Sequence, residues 1–97
     1  MKNFFVTLKP KFKLGEVIAN IEVLKICNDG DFSLKTVLDR HKSCDWGLVS
    51  EPDRLKNNEA IFSGGKIISV YNIDNSFIRV VTEKNHRITI VMLDDKK

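Results

Sequence analysis

The sequence predicts a single α+β domain over residues 1–93 with a charged tail at 94–97, and three observations carry that reading. Apolar residues recur at helical spacing through the middle of the chain. The last third alternates apolar and polar residues in three runs split by Asp74-Asn75 and Lys84-Asn85. Ninety-seven residues are enough for one modest core, in which roughly 60–65% of the unfolded surface is removed from water. With helices preceding most of the sheet, the expected order is one or two short amino-terminal strands, two or three helices, then a three-stranded antiparallel meander.

The first strand is expected at residues 4–8, ended by Pro10 or marked by it as an edge. Phe12, Leu14 and Val17 supply a second short extended piece. Asn20 can cap a helix over residues 21–27, with Ile21, Leu24 and Cys27 at helical spacing and Val23 and Ile26 widening the stripe. Asn28-Asp29-Gly30 stops it. Ser33 is the cap of a second helix reaching His41, whose inward stripe is Leu34, Val37 and Leu38. The strongest local signal is Ser50-Glu51-Pro52-Asp53. Ser50 caps, Pro52 takes an early helical position, and Asp53 favours the positive helix end. That third helix is expected to run to Ser63, burying Leu55, Ala60 and either Ile61 or Phe62, and to stop at Gly64-Gly65.

Composition excludes several classes. Apolar residues at 42% and charged residues at 30% are those of a globular chain, and no apolar run is long enough to span a membrane. No signal-peptide pattern follows Met1, so a cytoplasmic location is the expectation. Two cysteines, Cys27 and Cys44, read as free thiols and cannot alone hold zinc. No bound metal or cofactor is expected, since there is no phosphate loop and no dinucleotide fingerprint. The net charge of +3 is small. Lys2, Lys9, Lys11 and Lys13 form the only concentrated basic stretch, which reads as a phosphate-facing arm or as an edge strand guarded by lysines.

Two-residue turns would pair Ile67 with Thr82 in the first hairpin and Thr82 with Arg87 in the second. One sheet face then carries Ser69, Tyr71, Thr82, Arg87 and Thr89 among Ile67, Ile78, Val80 and Val91. The other carries Ile68, Val70, Phe77, Val81, Ile88, Ile90 and Met92, with Arg79 its polar exception, and reads as the core face. The mixed face reads as outward. His41, at the end of the second helix, is expected to meet Tyr71 and Arg87 in one solvent-accessible patch flanked by Asp45, Ser69, Thr82 and Thr89. Trp46 reads as the buried anchor of the connection after His41.

Residues 34–93 carry a pattern seen elsewhere. The pieces are Leu38-Asp39-Arg40-His41, Ser43-Cys44-Asp45-Trp46-Gly47, Asn57-Asn58-Glu59-Ala60, Gly64-Gly65-Lys66-Ile67-Ile68-Ser69-Val70-Tyr71, and Val81-Thr82-Glu83 followed by Arg87 and Thr89. Together they resemble a family of short proteins from bacterial plasmids, phages and integrated elements. Cys44 stands where that pattern has glycine, and Lys66 where it has arginine. The resemblance implies a mobile-element setting, in which small proteins act on nucleic acid or on host defence components. At the level of fold alone, helices leading into an antiparallel sheet also look like the small metal-independent ribonucleases related to barnase, colicin nucleases and messenger-cleaving toxins.

Two functions compete on these residues. A non-catalytic module binding a protein or nucleic acid needs only a mixed apolar and polar face with a modest basic field. Metal-free RNA cleavage would use His41 and Tyr71 for proton transfer and Arg87 as phosphate clamp, with Thr82 and Thr89 donating to phosphate. Tyrosine's ordinary pKa of about 10 makes it a poor base, which favours binding. A homodimer, or else cover from the amino-terminal strand or helices, would shield the apolar members of the mixed face.

Overall fold

The computed structural model describes residues 12–29, 34–73 and 75–94. The expected strand at 4–8, Pro10, Gly30, the Ser33 cap, Asp74 and the tail from residue 95 lie outside the described residues. Among the described ones the chain forms β1 (Glu16–Ala19), α1 (Ile21–Asp29), α2 (Leu34–Lys42), α3 (Glu51–Ser63), β2 (Ile67–Ile73), β3 (Ser76–Thr82) and β4 (Ile88–Leu93). The class is α+β. The meander is present as β2-β3-β4, and β1 joins it parallel to β4, giving the order β1-β4-β3-β2. That parallel strand departs from a pure meander.

Helix α3 begins and ends where its signals place it. The Ser50 hydroxyl accepts the Asp53 N–H at 3.3 Å, and Gly64, at φ +81°, donates its N–H to the Ala60 carbonyl. Its packing is partly as expected: Ala60 is buried, and of the two alternatives Ile61 packs against the core while Phe62 is 90% exposed. Leu55, expected in the core, is 52% exposed, and Asn57 is buried instead. Asn57 is inside because its side-chain amide closes the edge of β2, donating to the Ile68 carbonyl at 2.8 Å and accepting the Ile68 N–H at 3.0 Å. In α1 the stripe is likewise rotated: Val23 and Cys27 are buried, and Ile21 and Leu24 face outward.

The first hairpin has the expected register, Ile67 opposite Thr82 and Ile73 opposite Ser76. The second is shifted by two residues, so that Thr82 meets Thr89 and not Arg87. The connection holds a short helical turn, Lys84–His86, with Asn85 and His86 at positive φ, and is longer than a two-residue turn. A shift of two keeps every side chain on its face.

The faces themselves are exchanged relative to expectation. Helices cover the face of Ile67, Ser69, Tyr71, Ile73, Ile78, Val80, Thr82, Thr89 and Val91, every one of which is buried. On the opposite face Val81 is buried, and Ile68, Val70, Phe77, Arg79, Ile88, Ile90 and Met92 are intermediate. The mixed face can be the inner one because its hydroxyls are satisfied within the core, as described next.

Candidate functional site

His41 continues the inward stripe of α2, one turn beyond Val37 and two beyond Leu34, and is fully buried. Its Nδ1 lies 2.5 Å from the Ser69 Oγ and its Nε2 lies 2.9 Å from the Thr82 Oγ1. Thr82 Oγ1 is 2.8 Å from Thr89 Oγ1, and Thr89 donates to the Leu14 carbonyl at 2.7 Å. The proton positions follow from that carbonyl, which can only accept. Thr89 gives it its one proton and so accepts from Thr82. Thr82, its proton spent, accepts from Nε2–H of His41. Nδ1 is then bare and accepts the Ser69 hydroxyl. One neutral tautomer satisfies the whole chain.

Burial holds the His41 imidazole neutral, its pKa lowered to about 4, with the nearby His86 adding to the effect. Phe12 and Trp46 wall the ring at centroid distances of 5.2 and 5.8 Å, both edge-on. A serine hydroxyl donating to an imidazole is the polarity of an activated nucleophile. Here both groups are buried at 0% exposure, and the relay ties α2 to β2, β3 and β4. The cluster acts as a polar strut through the core.

Tyr71 is also buried, at 1% exposure. Its hydroxyl donates to the Asp45 carbonyl at 2.7 Å, the Arg40 guanidinium lies 4.4 Å from its ring centroid, and burial raises its pKa well above the ordinary value. Arg40 in turn donates from Nε to Asp45 Oδ2 at 2.7 Å, and that bond holds the Asp45 carboxyl below its usual range. Arg87 stands apart, exposed in the connection between β3 and β4, where its carbonyl accepts the Glu16 N–H. The expected open patch of His41, Tyr71 and Arg87 is therefore not how the chain is built. Ser69, Thr82 and Thr89 join His41 in the interior, Asp45 sits exposed beside Arg40, and Arg87 is in a surface turn. The missed signal was local: His41 falls on the helical stripe of Leu34, Val37 and Leu38.

Trp46 is buried at 5%, as its sequence setting predicts. Its loop runs against β2, with Val70 N–H donating to the Trp46 carbonyl and Leu48 N–H to the Val70 carbonyl. Gly47 is at φ +71°, where a Cβ would stand 2.0 Å from the Val70 oxygen, so only glycine fits. Cys44, at φ +69°, occupies the left-handed region that glycine adopts freely. Cys44→Gly is therefore expected to be more stable than Cys44→Ala by about 1 kcal/mol, reversing the usual order of the two residues. Urea denaturation of the pair measures it, and alanine matching glycine would refute it.

Among the described residues no three His, Cys, Asp or Glu side chains gather to hold a metal, and no helix is long and apolar enough to cross a membrane. A cleft of about 240 Å³ between α3 and β2 is lined by Asp53, Lys56, Asn57, Lys66 and Ile68. Its charges are mixed, Lys66 pairs with Glu83 at 3.6 Å, and the Asn57 amide is held by the Ile68 backbone. No known family model matches the chain, and no curated protein or solved structure matches it.

Proposed function

We propose that the chain is a non-catalytic binding module that docks a protein partner on the outward side of α3. The observation that carries this reading is Phe62, 90% exposed, with Leu55, 52% exposed, one seven-residue period before it on the same helix face. A phenylalanine left in water forgoes roughly 2–3 kcal/mol of burial. The helix departs from ordinary amphipathic order: Asn57 joins Ala60 and Ile61 on the inner side, and a leucine and a phenylalanine lie outside. Anchors at such spacing are what a helix presents to an apolar groove of a partner. Polar groups rim them: the Glu51–Arg54 pair at one end and Glu59 between the anchors. Burial of His41 and Tyr71 withdraws the groups a ribonuclease scheme would use, and a mobile-element setting suits a module that works by holding another macromolecule.

A photoactivatable phenylalanine analogue at position 62 should cross-link one discrete protein in the source cells. Leu55→Asp should abolish that adduct, and the same probe at exposed Lys35 should not form it. Equal labelling from positions 62 and 35 would refute α3 as the contact surface. So would binding of RNA or DNA, or RNA cleavage in EDTA, left unchanged by Leu55→Asp.

A further inference from the structure

The two edges of the sheet are treated differently. On β2 the outward backbone groups of Ile68 are taken by the Asn57 amide, and those of Val70 by Trp46 and Leu48. Over Ile68 and Val70 that edge is closed by the chain itself. On β1, Glu16 and Asn20 donate to Arg87 and Val91 of the β4 side, 2.9 Å each. In a parallel ladder the alternate residues face away, so the N–H and C=O groups of Val17 and Ala19 point outward. Among the described residues nothing bonds them. Glu16-Val17-Ile18-Ala19 contains no lysine, proline or bulge of the kind that guards an exposed edge. The edge is apolar as well: Val17 and Ile18 are 37% and 47% exposed, and Ile21 and Leu24, in the helix that leaves this strand directly, are 68% and 37% exposed.

We propose that this edge pairs antiparallel with β1 of a second copy of the chain, about a two-fold axis through Ile18. The register follows from the outward groups. Setting Val17 opposite Ala19 of the other copy, and Ala19 opposite its Val17, uses all four N–H and C=O groups of each strand in two hydrogen-bonded pairs. The pair between them is Ile18 on Ile18, and Glu16 falls opposite Asn20, so no like charges meet. The strand is thus complementary to itself, and the two sheets become one of eight strands. Ile21 and Leu24 of each copy then border the joint, where Glu22 and Lys25 of α1 offer opposite charges at its rim. The proposal stands apart from the α3 reading, since it uses the opposite edge of the sheet.

Cross-linking tests both the contact and its register. A non-hydrogen-bonded antiparallel pair brings its Cα atoms to about 4.5 Å, within disulfide reach. Ile18→Cys should form an interchain disulfide in mild oxidant, in excess of whatever the native cysteines give in the unsubstituted chain. Val17→Cys should not, because two copies of residue 17 are out of register and beyond the roughly 7 Å limit. Light scattering at micromolar concentration should give a dimer mass for the native chain. Val17→Pro, which removes an outward N–H and no bond to β4, should give a monomer of unchanged circular dichroism. A strictly monomeric native chain would overturn the proposal, as would cross-linking at 17 equal to that at 18, or a Val17→Pro chain that stays folded and dimeric.

Discussion

Lowering the pH from about 7 to about 4.5 is expected to cost the folded chain about 2–3 kcal/mol, chiefly through His41. The imidazole is neutral and buried with its pKa lowered to about 4, whereas in the unfolded chain it titrates near its ordinary value of 6.5. Between those two values the unfolded state binds a proton that the folded state refuses. Stability is therefore fully present above about pH 6.5 and falls as the pH drops toward 4, below which this contribution levels off. The geometry says why protonation is resisted. A second N–H would face the Ser69 hydroxyl, which now donates to that nitrogen, and the charge would sit between Phe12 and Trp46. Asp39, Asp45 and Glu51 do not share this window. Their pKa values are lowered, by Lys35, Arg40 and Arg54 respectively, so their contribution is full above the ordinary carboxylate range and is lost as the pH falls from there through those lowered values. Urea unfolding at the two pH values measures the loss, and His41→Gln should remove most of it whatever that substitution costs at neutral pH. Should the variant not fold, nuclear magnetic resonance of the native imidazole gives the same answer. A change below about 0.5 kcal/mol, or an imidazole titrating near 6.5, would overturn the assignment.

The elements that were legible are those fixed by neighbours in sequence. Ser50, Pro52 and Gly64 set the ends of α3, and the alternation of residues 67–82 set the first hairpin and its register. What failed depended on partners far along the chain. Period-two alternation separates two faces but does not say which one the helices cover, and Ser69, Thr82 and Thr89 tilt that choice toward water unless their hydrogen bonds are known. Those bonds run through His41 on another element. Asn57 misled for the same reason, since its place inside α3 makes sense only beside the open rung at Ile68. β1 is four residues long with little local signal, and its partner β4 lies at the other end of the chain. The candidate site inherited the exchanged faces: Tyr71 does share a face with Ser69 and Thr82, but that face is the interior.

Trp46→Ala is expected to destabilise the chain by about 3–5 kcal/mol, a large fraction of the roughly 5–15 kcal/mol that holds a small domain folded. The indole packs with Phe12, Ala60 and Ile67 in the second core cluster and lies 6.0 Å from the Phe12 ring and 5.8 Å from His41. Collapse around the missing ring is restricted, because the Val70 N–H holds the Trp46 carbonyl and Gly47 is wedged against Val70. The indole N–H contributes less. Its bond to Asn58 is 3.3 Å long and Asn58 is exposed, so Asn58→Ala should cost well under 1 kcal/mol. Comparing the two variants by urea denaturation separates packing from hydrogen bonding, and a Trp46→Ala loss below about 1 kcal/mol would show the ring to be dispensable. A second readout links the two sites. The ring is one wall of the apolar chamber that keeps His41 neutral, so opening that wall admits water and lets the imidazole titrate closer to its ordinary value. Trp46→Ala should consequently lose less stability than the native chain between about pH 7 and about pH 4.5, while starting from a lower value. If its pH dependence matched the native one, the desolvation of His41 would have to come from Phe12 and the sheet alone.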